Sequence, residues 1–330
     1  MTTPAATSRG LYSDAVRRIW KDKFATACFF LVILYAGIAL SAKFGLIATR
    51  YNEEDGPSYA PPSWTRVLEL PEGVKDSETN LGAIAIRLST PSFWAQAAKR
   101  FFEKESWTFP FGTDFLGRDV YQRILHGSRI AMSVGLISSL IAIPIGVFFG
   151  AIAGYYGGKV DEFIVWLYST VSSVPDLLLI LTACMVMGKG LLAVYISIGM
   201  TTWVQLARLI RAEFMKHKQR DYVVAAKALG AGDARCIFVH ILPNVFHIVI
   251  INLSLRFVAA IKVEVILSYL GVGAQGDPSW GVMINDAKQE LMRGVWWQLA
   301  GATLAMFFIV LALSIFADAL RDALDPKLKT

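Results

Sequence analysis

The residues most able to act on another molecule are charged side chains inside apolar stretches. Asp176, Arg256 and Glu264 stand in such stretches. An ionised group at membrane depth is costly, so it normally faces protein or water. Arg256 lies 13 residues after Pro243, about 20 Å along a helix. Two interpretations remain open: Arg256 and Asp176 line a polar path and face a substrate carboxylate, or Arg256 is paired with Asp176, Glu264 or a partner subunit. Glu264 itself is expected near the membrane interface.

Signatures of covalent catalysis and of metal binding are missing from the sequence. It contains no Gly-x4-Gly-Lys-Ser/Thr phosphate loop, no HExxH and no GxSxG. We therefore predict a non-catalytic chain that holds no metal and no cofactor. The histidines and cysteines also lack ligand spacing; they are His126, His217, His240, His247, Cys28, Cys184 and Cys236.

Composition indicates that apolar helices position these charges. Of the 330 residues, 55% are hydrophobic and only 18% are charged, which excludes an ordinary soluble domain. A membrane-spanning helix needs about 20 apolar residues. The first apolar stretch is too long for a signal peptide and is predicted to be an uncleaved anchor. We predict an all-α polytopic membrane protein with six transmembrane helices, at residues 24–42, 130–153, 163–187, 191–210, 242–261 and 295–316.

Two of these spans carry features that affect packing. Gly146, Gly150 and Gly154 form a stripe at i, i+4 and i+8 that lets another helix approach closely. Pro144 lies in the same span and can kink it. Pro175, next to Asp176, is predicted to interrupt the third span.

Basic residues predict the orientation. If residues 1–23, 154–162, 208–240 and 317–330 face the cytoplasm, those segments hold 16 basic and 10 acidic residues, an excess equal to the whole net charge of +6. Both termini are thus predicted to be cytoplasmic. Residues 43–129 form the external segment, in which 92–105 is either an amphipathic surface helix or a capped loop. Residues 130–316 form a five-helix core.

The loop 208–240 is predicted to be ordered. Asp221 starts a short helix with small residues on one side, which Gly230 ends, and a second short helix follows and ends at Pro243. Small residues allow a partner surface to approach closely. The loop is thus a candidate docking element, although many basic loops only orient a membrane protein.

A second motif precedes the second span. Gly112, Thr113 and Asp114 predict a turn into a helix, with Thr113 or Asp114 as N-cap. Gly117 would relieve backbone crowding, and Arg118 and Asp119 could pair. This motif is either a structural elbow or a contact surface for an external partner.

The loop resembles a known family. The pattern Ala-Ala-x3-Gly-x9-His-x-Leu-Pro is similar to the EAA loop of ABC importer permeases, which docks in a cleft of the ATPase subunit. The family's glutamate position is Val224 here, and its usual aliphatic position is His240. Through the resemblance, the residues implied in coupling to the ATPase are Asp221, Tyr222, Ala225, Ala226, Gly230, Ala231, His240, Leu242 and Pro243.

Three further stretches resemble the OppC/DppC branch of that family: 111–120 with 127–129, 267–273 with 278–281, and 318–326. The resemblance implies a type I (MetI-like) permease of the bacterial inner membrane. It would work with a second homologous permease, two ATPases that bind ATP and Mg²⁺, and a periplasmic or lipid-anchored substrate-binding protein, but with no nucleic acid. The cargo stays open among dipeptides, oligopeptides, glutathione, nickel chelates and microcin-like peptides.

The main alternative is a secondary transporter or channel without ATPase partners. Such a protein would usually show an inverted repeat or several intramembrane acids, and the sequence shows neither. A membrane-embedded enzyme would need paired catalytic groups at one depth, for which three scattered charges are a weak basis.

Overall fold

The computed structural model describes residues 17–63, 109–274 and 276–324. The predicted surface helix at 92–105 and the end of the tail lie outside this part. The only extended pairing within it is an isolated bridge between Thr113 and Asp119. The described helices are α1 (Lys23–Lys43), α2 (Val120–Tyr156), α3 (Gly158–Val171), α4 (Asp176–Met187), α5 (Leu191–Thr201), α6 (Val204–Lys218), α7 (Asp221–Ala228), α8 (Asp233–Arg235), α9 (Leu242–Tyr269), α10 (Trp280–Leu291) and α11 (Trp297–Leu324).

The all-α membrane architecture is confirmed. Five helical runs in the described residues are long and apolar enough to cross a membrane, and the bent pair α3 and α4 would make a sixth. Both α2 and the run from Asp233 to Tyr269 have 37 residues. At 1.5 Å per residue they reach about 55 Å, beyond a hydrocarbon core of about 30 Å. Helix α2 begins at Val120, ten residues before the predicted start of the second span, so residues 120–129 of the predicted external segment are helical.

Helix α2 packs against α6 along the predicted glycine stripe. A Cβ added at Gly146 would lie 2.9 Å from the carbonyl oxygen of Trp203, and one at Gly150 would lie 2.6 Å from that of Ala207. A Cβ at Gly154 would lie 2.5 Å from the carbonyl oxygen of Arg211. Only hydrogen fits at these three positions. The close approach predicted from the sequence is confirmed, and the matching order of contacts shows that the two helices run parallel.

Because α2 and α6 run parallel, the chain between them must return along the bundle. In α3, Ile164 packs with Ala153 near the end of α2. In α4, Ile180 packs with Ile130 and Val134 near its beginning. The pair α3 and α4 therefore covers the depth of one crossing.

The third predicted span is not one helix, however, because α3 and α4 are bent by 82° at the break. The predicted interruption at Pro175 is confirmed, because proline disfavours helical backbone in the residue before it and lacks an N–H. The fourth span is also divided, between α5 and α6, and it continues to Lys218. In contrast, Pro144 lies inside the continuous helix α2.

The prediction of a separate second short helix in the loop is wrong. Residues Asp233–Arg235 continue through a π-helical turn, Cys236–Ile241, directly into α9. Pro243 in the first turn of α9 cannot donate a backbone hydrogen bond. A wider π turn just before a proline absorbs this missing bond without ending the helix.

Both ends of the described chain lie at the same end of the bundle. Ile19 packs with Ile250 and with Leu320 and Leu324 of α11. This is what cytoplasmic placement of both termini requires. The membrane face on which they lie, and the exact number of crossings, stay predictions.

The glycine stripe yields a stability prediction. We expect Gly150→Ala to destabilise the folded protein by about 1–3 kcal/mol, because the new methyl overpacks against the α6 backbone. Thermal unfolding in detergent measures the effect. The matched control is Gly37→Ala on α1, where no atom lies within 4 Å of the added Cβ. Equal unfolding temperatures for the two variants would contradict the packing argument.

Candidate functional site

Helix α7 is held against the bundle end by one apolar anchor. Val223 is fully buried, in a cluster with Tyr155 of α2, Phe214 of α6, and Ile237 and Ile241 of the π turn. The helix is therefore attached to α2, α6 and the start of α9 at once.

Polar contacts add to this anchor. The Tyr155 hydroxyl donates to Asp233 Oδ1 at 2.7 Å. Lys227 Nζ lies 3.5 Å from the same carboxylate oxygen and 5.0 Å from the centre of the Tyr155 ring. On the other side, Tyr222 Oη lies 2.6 Å from His217 Nδ1. These contacts set the orientation of α7 relative to α2 and α6.

Gly230 ends α7 as the sequence predicts. Its N–H donates to the Lys227 carbonyl at 2.9 Å, and the N–H of Ala231 donates to the Ala226 carbonyl at 3.0 Å. Gly230 has φ +88°, a left-handed conformation that favours glycine. This pair of bonds is a Schellman cap, which satisfies the last carbonyls of the helix.

The outer side of this loop is apolar and exposed. Leu229 is 89% exposed and Phe238 is 62% exposed, and Val224 and Val239 are also open to solvent. Because these apolar side chains lie in a loop with many charged residues, the loop is a candidate interaction surface. Leu229, Phe238 and Val239 were not predicted as site residues, although all three interrupt a polar loop. Of the predicted coupling residues, Asp221, Tyr222, Ala225, Gly230 and Pro243 are exposed, and Ala226, Ala231, His240 and Leu242 are half-buried.

A cavity of about 530 Å³ opens among the crossing helices. Asp176 and Arg256 both line it, together with residues of α2 and of the junction between α5 and α6. Arg256 Nη1 donates to the carbonyl oxygen of Thr202, at the break that separates α5 from α6. Within the described residues, neither Arg256 nor Asp176 belongs to an ion pair within 4 Å.

Glu264 lies outside the cavity, five residues before the end of α9. It is 1% exposed, and its depth relative to the membrane interface stays a prediction. Its Oε1 accepts a hydrogen bond from the Ser268 hydroxyl at 2.6 Å, and Ser268 Oγ accepts from the N–H of Ala274 at 3.2 Å. Glu264 thus orders the end of α9 and does not pair with Arg256.

The motif at 112–119 forms a buried clasp at the opposite end of the bundle. Asp114 is fully buried, and its Oδ2 accepts from Arg118 Nε at 2.7 Å and from Arg123 Nη1 of α2. The N-cap of α2 is Asp119, whose Oδ1 accepts from the N–H of Tyr121 at 2.9 Å. The predicted cap at Thr113 or Asp114 is therefore wrong. The local pair of Arg118 is Asp114 rather than Asp119, because Asp119 is committed to the helix end.

The same motif fastens the segment at 56–63 to the bundle. Thr113 Oγ1 accepts from the N–H of Ala60 at 2.7 Å and donates to the Pro57 carbonyl at 2.6 Å. Trp297 Nε1 of α11 donates to the Thr113 carbonyl at 2.9 Å. A Cβ at Gly112 would lie 2.6 Å from the Ala60 carbonyl oxygen, so the backbones can approach only at a glycine. The contacts support the structural-elbow interpretation of this motif.

Two acids of α10 complete the clasp, and neither was predicted from the sequence. Glu290 Oε1 accepts from the N–H of Phe115 at 3.0 Å, and Asp286 lies 3.5 Å from Arg123 Nη2. Burial raises the pKa of Glu290 to about 7, and burial also raises the pKa of Asp286. Their spacing of i, i+4 on an amphipathic helix is the only sequence signal that could have found them.

Removal of the central carboxylate should destabilise the clasp. We expect Asp114→Asn to cost about 3–5 kcal/mol of folding free energy, since Arg123 would remain buried without its counter-charge. Unfolding of the purified protein in detergent measures this. Asp55→Asn, which removes only an exposed partner of Arg50, should cost at most about 1 kcal/mol. If Asp114→Asn also lost no more than about 1 kcal/mol of folding free energy, the result would count against the clasp.

Glu290 also predicts a pH dependence of stability. Its folded pKa of about 7 exceeds the ordinary unfolded value of about 4.3, so the folded state holds the proton more tightly. This favourable contribution is complete below about pH 4 and is lost as the pH rises to about 7, a change of roughly 3–4 kcal/mol. We expect the unfolding temperature of Glu290→Gln to fall less between pH 5 and pH 8 than that of the parent chain. Parallel pH profiles would show that the Glu290 proton is not linked to folding.

Comparisons with known proteins agree with this architecture. Residues 146–330 match the family of the binding-protein-dependent transport system inner membrane component. The chain is 39% identical to the dipeptide transport system permease protein DppC of Bacillus subtilis over 66% of its length and 69% of that protein. It is 35% identical to the oligopeptide permease OppC of the same organism, over 68% of this chain and 73% of the relative. It is 34% identical to the glutathione transport system permease protein GsiD of Pectobacterium atrosepticum, over 76% of this chain and 86% of that protein. The chain therefore belongs to the binding-protein-dependent transport permeases, as an ABC importer permease of the OppC/DppC type.

Proposed function

We propose that this chain forms half of the translocation pathway of an ATP-driven importer for di- or oligopeptides or related small solutes, in a bacterial inner membrane. Its partners are a second homologous permease, two ATPase subunits that bind ATP and Mg²⁺, and an external substrate-binding protein. The chain makes and breaks no covalent bond. The observation that carries this proposal is the exposed apolar face of α7 and the π turn, on an element that packs against α2, α6 and the start of α9.

The proposed coupling follows the contacts of α7. When the ATPase pair closes, it displaces the exposed face that includes Leu229. Val223 transfers this displacement to Phe214 on α6, since both lie in one buried cluster. Helix α6 begins at Val204, beside the Thr202 carbonyl that Arg256 binds in the cavity wall. Movement at the loop would in this way open the cavity alternately to the two sides.

The breaks in the crossing helices support this mechanism. Discontinuous helices are tolerated in a membrane where they line a cavity, and they allow one half of a helix to move relative to the other. Both breaks, at 172–175 and at 202–203, adjoin cavity-lining residues.

The first experiment is to purify the tagged chain from its native membrane in mild detergent and identify the proteins that co-purify. We expect two ATPase chains and a second permease in the complex, and uptake into vesicles that requires ATP. A monodisperse chain that transports solute without ATP would instead identify a secondary transporter or channel.

The contribution of the exposed loop face can be tested by one substitution. We expect Leu229→Gln to weaken retention of the ATPase subunits at least tenfold, because burial of a leucine contributes about 1.5–3 kcal/mol. ATPase retained per permease after gel filtration measures this. The matched control is Met292→Gln, which changes a side chain that is 90% exposed after α10, outside the coupling loop. Full ATPase retention by Leu229→Gln would contradict docking at this face.

A further inference from the structure

The cavity contains opposite charges near the mid-length of the crossing helices. Arg256 stands halfway along the 28-residue helix α9, and Asp176 is the first residue of α4, after the bend. The remaining polar lining includes Ser138 and Ser139 of α2, Thr201, and Gln205 of α6. The volume of about 530 Å³ is within the range of about 300–1,000 Å³ typical of sites for small ligands.

Arg256 has unused capacity to bind an anion. A guanidinium group carries five N–H donors. One of them is used by the Thr202 carbonyl, whereas Nε is buried and has no hydrogen-bond partner within the described residues. Asp176 attracts Arg256 electrostatically but forms no ion pair with it within 4 Å. A cation without a contact partner is costly at this depth unless a ligand or a watery path faces it.

The Asp176 carboxylate can bind a cation in the same way, because it forms no ion pair within 4 Å among the described residues. It is exposed in the cavity wall, and its negative charge is stabilised by the N-terminal end of the α4 dipole. Arg208, a second cation among the described cavity residues, is engaged differently. It donates to the Ser172 hydroxyl at 3.1 Å and lies 4.9 Å from the centre of the Tyr168 ring.

We propose that this cavity is a transit site for zwitterionic peptides, in which Arg256 binds the C-terminal carboxylate and Asp176 the N-terminal ammonium group. The planar guanidinium suits a carboxylate, with which it forms charge-assisted hydrogen bonds. The inference rests on the proposed import function and adds the chemical groups of the cargo that the permease itself recognises. Peptides that keep both charged ends would thus cross faster than blocked peptides.

Transport by the reconstituted complex with its binding protein tests this site. The probe is a mixture of alanine peptides of two to five residues, each with a free or amidated C-terminus and a free or acetylated N-terminus. Mass spectrometry of the vesicle contents gives uptake. Each variant is compared with the parent complex for the same peptide, so that the selectivity of the unchanged binding protein cancels.

We expect Arg256→Gln to lower uptake of free acids at least tenfold more than uptake of amides. We expect Asp176→Asn to lower uptake of free amines at least tenfold more than uptake of acetylated peptides. Arg256→Lys should restore part of the preference for free acids. Arg208→Gln is the matched control, since it removes a cation from the same cavity, and it should change the acid-to-amide ratio less than twofold. If Arg256→Gln lowered the uptake of all peptides equally, the proposal would be overturned. Arg256 would then serve only through its hydrogen bond to the Thr202 carbonyl.

A second measurement needs no transported peptide. Ala259 is exposed in the cavity one helical turn from Arg256. The thiol of Ala259→Cys is reacted with an anionic and with a cationic methanethiosulfonate, and the ratio of the two rates is measured. We expect the anionic-to-cationic rate ratio to be higher when Arg256 is present than in the double variant with Arg256→Gln. An unchanged ratio would show that Arg256 does not face the cavity and would also overturn the proposal.

Failure of this site and failure of the import function give different results. If uptake requires ATP but ignores the charged ends of the peptide, only the transit site is wrong. If the complex contains no ATPase, the import function is wrong, and the reagent ratio still reports whether Arg256 attracts anions.

Discussion

The contact on which the other structural features depend is the packing of α6 on α2. Lipid is as apolar as the side chains, so helices associate in a membrane through close packing and not through exclusion from water. At Gly146, Gly150 and Gly154 a side chain would collide with the α6 backbone, and this tight fit fixes both helices in a parallel arrangement. The parallel arrangement in turn requires the chain to return between them, which it does through the broken pair α3 and α4.

Those breaks leave polar groups at membrane depth, and the protein uses them to build a cavity. The carbonyl of Thr202 is left by the break between α5 and α6, and Arg256 donates a hydrogen bond to it. Unsatisfied backbone groups are tolerated inside a membrane only where protein or water can partner them. The cavity and the helix breaks are therefore two consequences of the same backbone arrangement.

The two ends of the bundle are built in different ways. At one end, buried ions and backbone hydrogen bonds around Asp114 hold the segment at 56–63, α2, α10 and α11 together. At the other end, α7 is attached mainly through Val223 and a few polar contacts, and its apolar face is exposed. A buried clasp at one end and an exposed helix at the other fit the proposed coupling, in which the loop transmits a displacement to the membrane helices.

The sequence by itself determined the features that depend on local chemistry. These include the apolar helices, the glycine stripe, the interruption at Pro175 and the cap at Gly230, because helix length, small side chains and backbone conformation are properties of neighbouring residues. The family could also be identified from ordered motifs.

Only the tertiary structure decided which distant groups meet. Asp114 pairs with Arg123 instead of serving as a cap, Glu264 is buried with Ser268, and Glu290 binds the backbone of Phe115. The π turn before Pro243 and the placement of Arg256 at Thr202 also lie beyond sequence patterns. The physical reason is that a charge can be satisfied by any partner within reach, and the packing of whole helices, rather than their spacing along the chain, decides which partner lies there.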